Sequence, residues 1–371
     1  MNDPEMQSHD LQHKWSILLD PSAVVACRVV TGFDGFVDEM ITLVAERQDL
    51  ANYKAVENIS DFAAMMAASA GHSSLREIIV RHVHPGGCAV NLADGLASLG
   101  VHVDCFATLG DPVHPAFSSL VEKCHSVHSW GSEPGRTLAF EFQDGKVMFS
   151  AGTQLADFTP EHVAACLQDG IYLKACQQAQ VIALTDWTMY PHMTAVWEIL
   201  RQQVFSTLSH RPHLFFDLVD PSSRCDCDVL GMLHTLALFE AHGEVTLGLN
   251  GNEANILSRL LDIAETNASS STESTADQAS GLREAIGISR VVIHRSRYAV
   301  SATAGEKAHA FSEFCAQPLK STGAGDRFNA GFCLGLALSL NATQCLELGC
   351  MVAAALVSKG RSATLSELIS N

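Results

Sequence analysis

The chain has 371 residues, 47% of them apolar, and a formal net charge of −18. That acidity argues against a nucleic acid or an anionic membrane surface as partner, because their phosphates would be repelled, and no apolar run is long enough to cross a bilayer. Twelve cysteines, spread through a chain able to bury a large core, read as reduced thiols of a cytoplasmic protein.

Residues 1–22 are polar and partly acidic, without a basic stretch leading into an apolar one, and read as an N-terminal tail, not a signal peptide. Residues 23–33 are valine-rich and read as the first buried strand. It ends in Gly32-Phe33-Asp34-Gly35-Phe36-Val37-Asp38. In an open parallel sheet, ligands sit beyond the carboxyl ends of strands. Asp34 and Asp38 there can each accept hydroxyl hydrogen bonds from a polyhydroxylated substrate; capping a turn is the plain alternative. Residues 39–84 mix short strand patterns with one helical stretch at 59–70 and predict a flap outside the main sheet. Gly86 and Gly87 then precede an Ala/Leu-rich helix closed by Gly100, and let a ligand approach the backbone. Asn91, one turn in, faces the same side as Gly87, and an asparagine inside a helix calls for a polar partner.

Residues 137–142 and 146–149 flank Asp144-Gly145, a two-residue hairpin turn. Together with residues 39–84, the stretch 130–152 predicts a small β-rich lid. Thr159-Pro160 then opens a helix. Strand patterns at 181–184, 214–218, 245–249 and 291–293 alternate with helical ones, which implies a mostly parallel sheet covered on both faces. Residues 266–280, rich in Ser, Thr and Ala, read as a mobile surface loop.

Ser321-Thr322-Gly323-Ala324-Gly325-Asp326-Arg327-Phe328 is a glycine-rich turn opening an apolar helix. Its N–H groups can converge on an anion at the helix N-terminus. Asp326 would repel that anion unless it has a task, and the task that fits is taking a proton from a hydroxyl attacking a phosphate. The plain alternative is an ordinary helix start, which an Asp favours by about 0.3–1 kcal/mol. No Gly-x-x-x-x-Gly-Lys-Ser/Thr loop is present, and the first glycine turn is not Gly-x-Gly-x-x-Gly, so neither a P-loop enzyme nor a standard dehydrogenase is supported.

Taken together, Gly86-Gly87-Cys88-Ala89-Val90-Asn91-Leu92-Ala93, Asn250-Gly251-Asn252-Glu253 and Ser321–Phe328 resemble, in order, the motifs of the ribokinase-like (PfkB) carbohydrate kinases. Ala151-Gly152-Thr153 through Glu161 resembles the return from that family's lid. The resemblance covers about residue 29 to the end. It implies a ribokinase-like three-layer α/β sandwich with a central, mostly parallel sheet, formed by residues 23–371. It also implies ATP-dependent phosphorylation of a hydroxyl on a sugar or sugar-like substrate. Carried over, Asp326 is the general base, and Gly323, Ala324 and Gly325 form the anion hole. Asp34 or Asp38, Gly86, Gly87, Asn91 and Asp186 contact the sugar. Asn250 and Glu253 organise Mg2+, while Asn250, His294, Ser296, Thr322 and Gly325 border the nucleotide. A nucleoside or other small-alcohol kinase of this fold, or a silent sugar-binding regulator, stays open beside the sugar kinase, as does a homodimer joined through the lid. Three departures stand out. Lys320 replaces a commonly acidic residue, which puts a monovalent cation in doubt. His294-Arg295-Ser296-Arg297 replaces the usual Thr-x-Gly. Arg327, where a small residue is frequent, is expected to point to solvent.

Overall fold

The computed structural model describes residues 15–313 and 315–370. Among the described residues, fourteen strands run β1 (Arg28–Gly32), β2 (Phe36–Arg47), β3 (Tyr53–Ala55), β4 (Ile78–Gly86), β5 (His102–Ala107), β6 (Ser126–Ser129), β7 (Gly135–Phe142), β8 (Gly145–Ala151), β9 (Val181–Leu184), β10 (His213–Asp217), β11 (Glu244–Asn250), β12 (Arg290–His294), β13 (Tyr298–Ala302) and β14 (Lys307–Phe311). Nine of them form one sheet in the order β14-β13-β12-β11-β10-β9-β1-β5-β6. It is parallel from β12 to β6, with β13 and β14 added antiparallel.

Strand alternation sends side chains to both faces. Val29 and Phe215 pack on one side, against the Cys88–Ser98, Ala324–Ala337 and Ala342–Lys359 helices. Val30, Leu214 and Phe216 pack on the other, with Val196, Met232 and Leu282 from three further helices. This is an α/β three-layer sandwich with a central, mostly parallel sheet.

A second sheet stands apart. β2 pairs parallel with β7 on one edge and antiparallel with β4 and β3 on the other, and β7 continues to β8. It keeps its own small core of Ile41, Leu43, Val56 and Phe140, with Phe62 laid over it from the Ile59–Ala67 helix.

Four sequence expectations need correction. Residues 15–22 are not a loose tail: Trp15 and Leu19 are buried in the main core. The first strand starts only at Arg28, because Asp20 caps Ser22 and Ala23, and Pro21 opens a short Pro21–Ala26 helix. The lid hairpin turns at Gln143-Asp144, with Gly145 already opposite Phe142. Residues 266–280 are not a bare loop: a helix spans Thr272–Ile286. Its small residues let Thr275 and Ala279 bury closely, and Thr275 shares a 2.9 Å hydrogen bond with the Tyr298 hydroxyl.

Candidate active site

The carboxyl ends of β1, β9, β10, β11 and β12 open on one edge of the sheet, and they bring Asp34, Asp186, Asp217, Asn250 and His294 to it. The N-termini of the Cys88–Ser98 and Ala324–Ala337 helices face the same edge. Asn91 donates a 2.9 Å hydrogen bond from Nδ2 to Asp326 Oδ2, so the two glycine-rich turns meet there. Gly323 takes a left-handed conformation (φ 83°) as the cap of its helix. A side chain on Gly325 would crowd the His294 ring, 3.2 Å from where its Cβ would stand.

The two carboxylates after β1 are in different situations. Asp34 is fully buried and spent on the backbone: it accepts from the Cys88 and Ala89 amides and, at 2.7 Å, from the Thr185 hydroxyl. It caps the helix that follows Gly87 (φ 101°). Asp38 is only partly buried. It lies opposite Thr137 on β7 and His84 on β4 and accepts a hydrogen bond from Thr137. Burial raises its pKa; Thr137 and the charges of Lys146 and Lys320 oppose that. Gly86 lies directly against its carboxylate. From the lid, Lys146 reaches the Thr322 hydroxyl at 3.3 Å.

Deeper in, acidic groups crowd one another. Burial, then the charge of Asp217, pushes Asp326 up to about 7. Burial, then the same charge, pushes Glu253 up to about 8. Asp217 itself is pushed up to about 6 by burial; it accepts from Asn329 Nδ2 at 2.6 Å and from the Val219 amide. Asp186 is raised well above the ordinary range by burial and then by Asp34; it has φ 55° and accepts from the Met189 amide at 3.0 Å. Glu253 and Asn250 form a capping box at the start of the Gly251–Leu260 helix. Carboxylates held above their usual pKa by burial and then by one another's charge suit a hard divalent cation, which takes oxygen ligands. The buried Asn329 Oδ1, beside Asp217, has no protein partner. The donor set therefore fits Mg2+.

Beside this centre lies a cleft of about 400 Å³ lined by Asn250, Gly251, Asn252, His294, Arg295, Ser296 and Tyr298 among others. His294 stacks near Phe328, with ring centroids 5.2 Å apart, and burial pulls its pKa down to about 4, so it is neutral. The Arg295 guanidinium lies over Gly251 and bonds the Thr266 hydroxyl at 2.6 Å. Sequence reasoning gave no role to Asp217 or Tyr298, and it named Arg295 only within the His294–Arg297 segment beside the nucleotide. For Asp217 the signal was present, an acid at a strand's carboxyl end; Arg295 and Tyr298 are placed by the β12–β13 pairing. Arg327 does not point to solvent: it is buried on Asp94, Ser362 and the Asn91 carbonyl. A charge enters the interior when such partners are waiting for it.

Residues 15–371 match the family model described as prokaryotic ketohexokinase. The chain is similar to a ketohexokinase of Haloferax volcanii, 27% identical over 351 residues that cover 94% of this chain and 91% of the relative. Its fold is similar to a ribokinase of Thermotoga maritima (TM-score 0.61, 16% identity, 93% of this chain and 99% of the other). It is also similar to a nucleoside kinase of Methanocaldococcus jannaschii (TM-score 0.57, 13% identity, 92% and 97%).

Proposed function

The chain belongs to the prokaryotic ketohexokinase family and is a ribokinase-like, PfkB-type carbohydrate kinase, and from that premise we propose that it transfers the γ-phosphoryl group of ATP to a hydroxyl of a ketohexose, with Asp326 as the general base. The observation that carries this reading is the Asn91–Asp326 contact. It sets a carboxylate of pKa about 7 between the Gly323–Gly325 turn and the Gly86-Gly87 turn that carries the sugar-facing groups. A base poised near neutrality combines a large deprotonated fraction with adequate basicity.

In this mechanism the sugar lies on Gly86, Gly87, Asn91 and the partly exposed Asp38. Asp38 takes the hydroxyl contacts and Asp34 holds the helix. The Asn91 amide fixes the Asp326 carboxylate through Oδ2, and the carboxylate accepts the proton of the attacking hydroxyl. The amides of Gly323 and Gly325 receive the charge of the transferring phosphoryl group; that of Ala324, expected in the same role, already donates to the Ser321 carbonyl at 3.2 Å. Lys146, already on Thr322, adds a cation from the lid. Glu253 and Asp217, with Asn250, would hold Mg2+, which supplies charge neutralisation on the phosphates when bound. The nucleotide occupies the cleft between Asn250 and Tyr298, against His294 and Ser296. The reading includes a homodimer through the lid, supported by the exposed Ile78, Val80 and Val83 on β4 and Phe149 on β8. It includes a reducing, cytoplasmic setting, supported by twelve free cysteines.

The test is an ADP-release assay with Mg2+ and ATP against ketohexoses, aldohexoses, pentoses and nucleosides. Ketohexose-dependent turnover is expected. Asp326→Asn should lower it by about 10²–10⁴-fold while sugar still raises the melting temperature. Turnover with nucleosides alone would overturn the substrate class, and an Asp326→Asn enzyme with most of its turnover would overturn the base.

A further inference from the structure

Arg327 follows the proposed base directly, yet its side chain is buried, 6% exposed, and ends on Asp94, Ser362 and the Asn91 carbonyl. Its three nitrogens each have a partner. Nε donates to the Ser362 hydroxyl at 2.7 Å, Nη2 to Asp94 Oδ2 at 2.7 Å and Nη1 to the Asn91 carbonyl. Ser362 in turn donates to Asp94 Oδ2 at 2.6 Å, and Lys123 to Asp94 Oδ1 at 2.6 Å. The Arg327 stem packs where a side chain on Gly95 would clash, 3.0 Å from Cδ, so the two helices meet here at close range. The contacts close a ring: Asp326 to the Asn91 side chain, the Asn91 backbone to Arg327, and Arg327 back to Asp326 along the chain.

We propose that Arg327, locked by Asp94 and Ser362, is a positioning residue of the reaction that holds the sugar-facing helix and its Asn91 in register with the proposed base, and that its pairing with Asp94 sets the net charge behind that base. The inference rests on the reading of Asp326 as the base. A planar fork of fixed geometry fits the role, since its spread nitrogens reach three oxygens of two segments at once, whereas an ammonium is a compact charge whose three donors leave one atom. Several other groups also act on Asp326. Asp217 from β10 and Asp34 from beyond β1 raise it, and Cys88 lowers it through a hydrogen bond. Asp186 and Glu253 each feel its charge. Arg327 is the charge that opposes the acidic ones. Arg327 itself faces Asp94 and Asp326, and it acts on Lys320.

The experiment measures sugar KM, kcat and the acid limb of kcat/KM for Arg327→Met, Arg327→Lys and Asp94→Asn, beside Asp326→Asn, with urea unfolding as the fold control. Arg327→Met should move the acid limb to higher pH, because a positive charge leaves. Asp94→Asn should move it to lower pH, because that charge loses its anion. Merely structural damage would not give shifts of opposite sign. Arg327→Lys should keep the limb near wild type and raise sugar KM about tenfold, since charged hydrogen bonds to Asn91 and Ser362 are lost. Limbs that stay put or move together in Arg327→Met and Asp94→Asn overturn the inference, as does an unchanged KM in Arg327→Lys. Should Arg327→Met not fold, the Asp94→Asn limb and the Arg327→Lys KM decide alone. An Asp326→Asn enzyme that keeps its turnover brings down the base assignment and this inference with it. A dead Asp326→Asn enzyme with flat Arg327 and Asp94 arms brings down this inference only.

Discussion

Gly86→Ala tests the sugar site without replacing a functional side chain. A Cβ at Gly86 would stand 2.5 Å from Asp38 Cγ and 2.6 Å from Oδ1, whereas ordinary contact begins at 3.4 Å. The carboxylate must therefore recede by about 1 Å, a displacement that costs about 10²-fold in rate when it misplaces a substrate-orienting group. The fold should lose little. Gly86 does not use a positive φ, and the movable atoms end a short side chain whose bond to Thr137 is worth about 1 kcal/mol. The assay is ADP release over a range of sugar concentrations, paired with urea unfolding. The expected result is a fall of about 10²-fold in kcat/KM for the sugar at nearly unchanged stability. A kcat/KM within about twofold of wild type, too small for a 1 Å shift, would refute the assignment of the sugar contact to Asp38. A loss of activity matched by loss of fold would refute the reasoning that Asp38 alone moves.

Three other outcomes are expected. The ligand-free protein should lose melting temperature as pH rises from about 5 to about 8. Asp217, Asp326 and Glu253 bind protons in the fold up to about 6, 7 and 8, while the unfolded chain has released them by about pH 5. Their stabilisation, complete below the unfolded values, is therefore lost as pH rises through the folded ones; Asp326→Asn should flatten the slope, and an unchanged slope would refute the shift. Gly231→Ala, inside the exposed face of the Asp226–Leu238 helix with nothing within 4 Å of its Cβ, should stabilise by about 0.5–1 kcal/mol in urea unfolding and leave turnover unchanged. By the resemblance to the ribokinase-like kinases an acid is expected where this chain has Lys320, so turnover should be the same in potassium, sodium and tetramethylammonium salts. A several-fold stimulation by potassium would show that a cation site survives.

Local chemistry alone fixed the order of motifs in this chain. The alternation of strand and helix patterns, the glycines before Cys88 and Ala324, and an acid in the first turn after Gly325 are short-range features. They predicted the parallel sheet and the separate small sheet. What the sequence left undecided depends on partners far away in the chain. Asp34 and Asp38 look alike in sequence. Only the fold aims the Cys88 and Ala89 amides, 54 and 55 residues on, at Asp34 and leaves Asp38 partly open. Arg327 reads as an exposed cation until Asp94, 233 positions away, offsets its desolvation. The Thr272–Ile286 helix looks like a polar loop until Tyr298 and the β-sheet supply the surface that its small residues bury. Composition and periodicity report how a segment meets its neighbours in sequence. Burial, and with it the pKa and reach of each acid at this site, is set by which distant segments the tertiary structure brings against it.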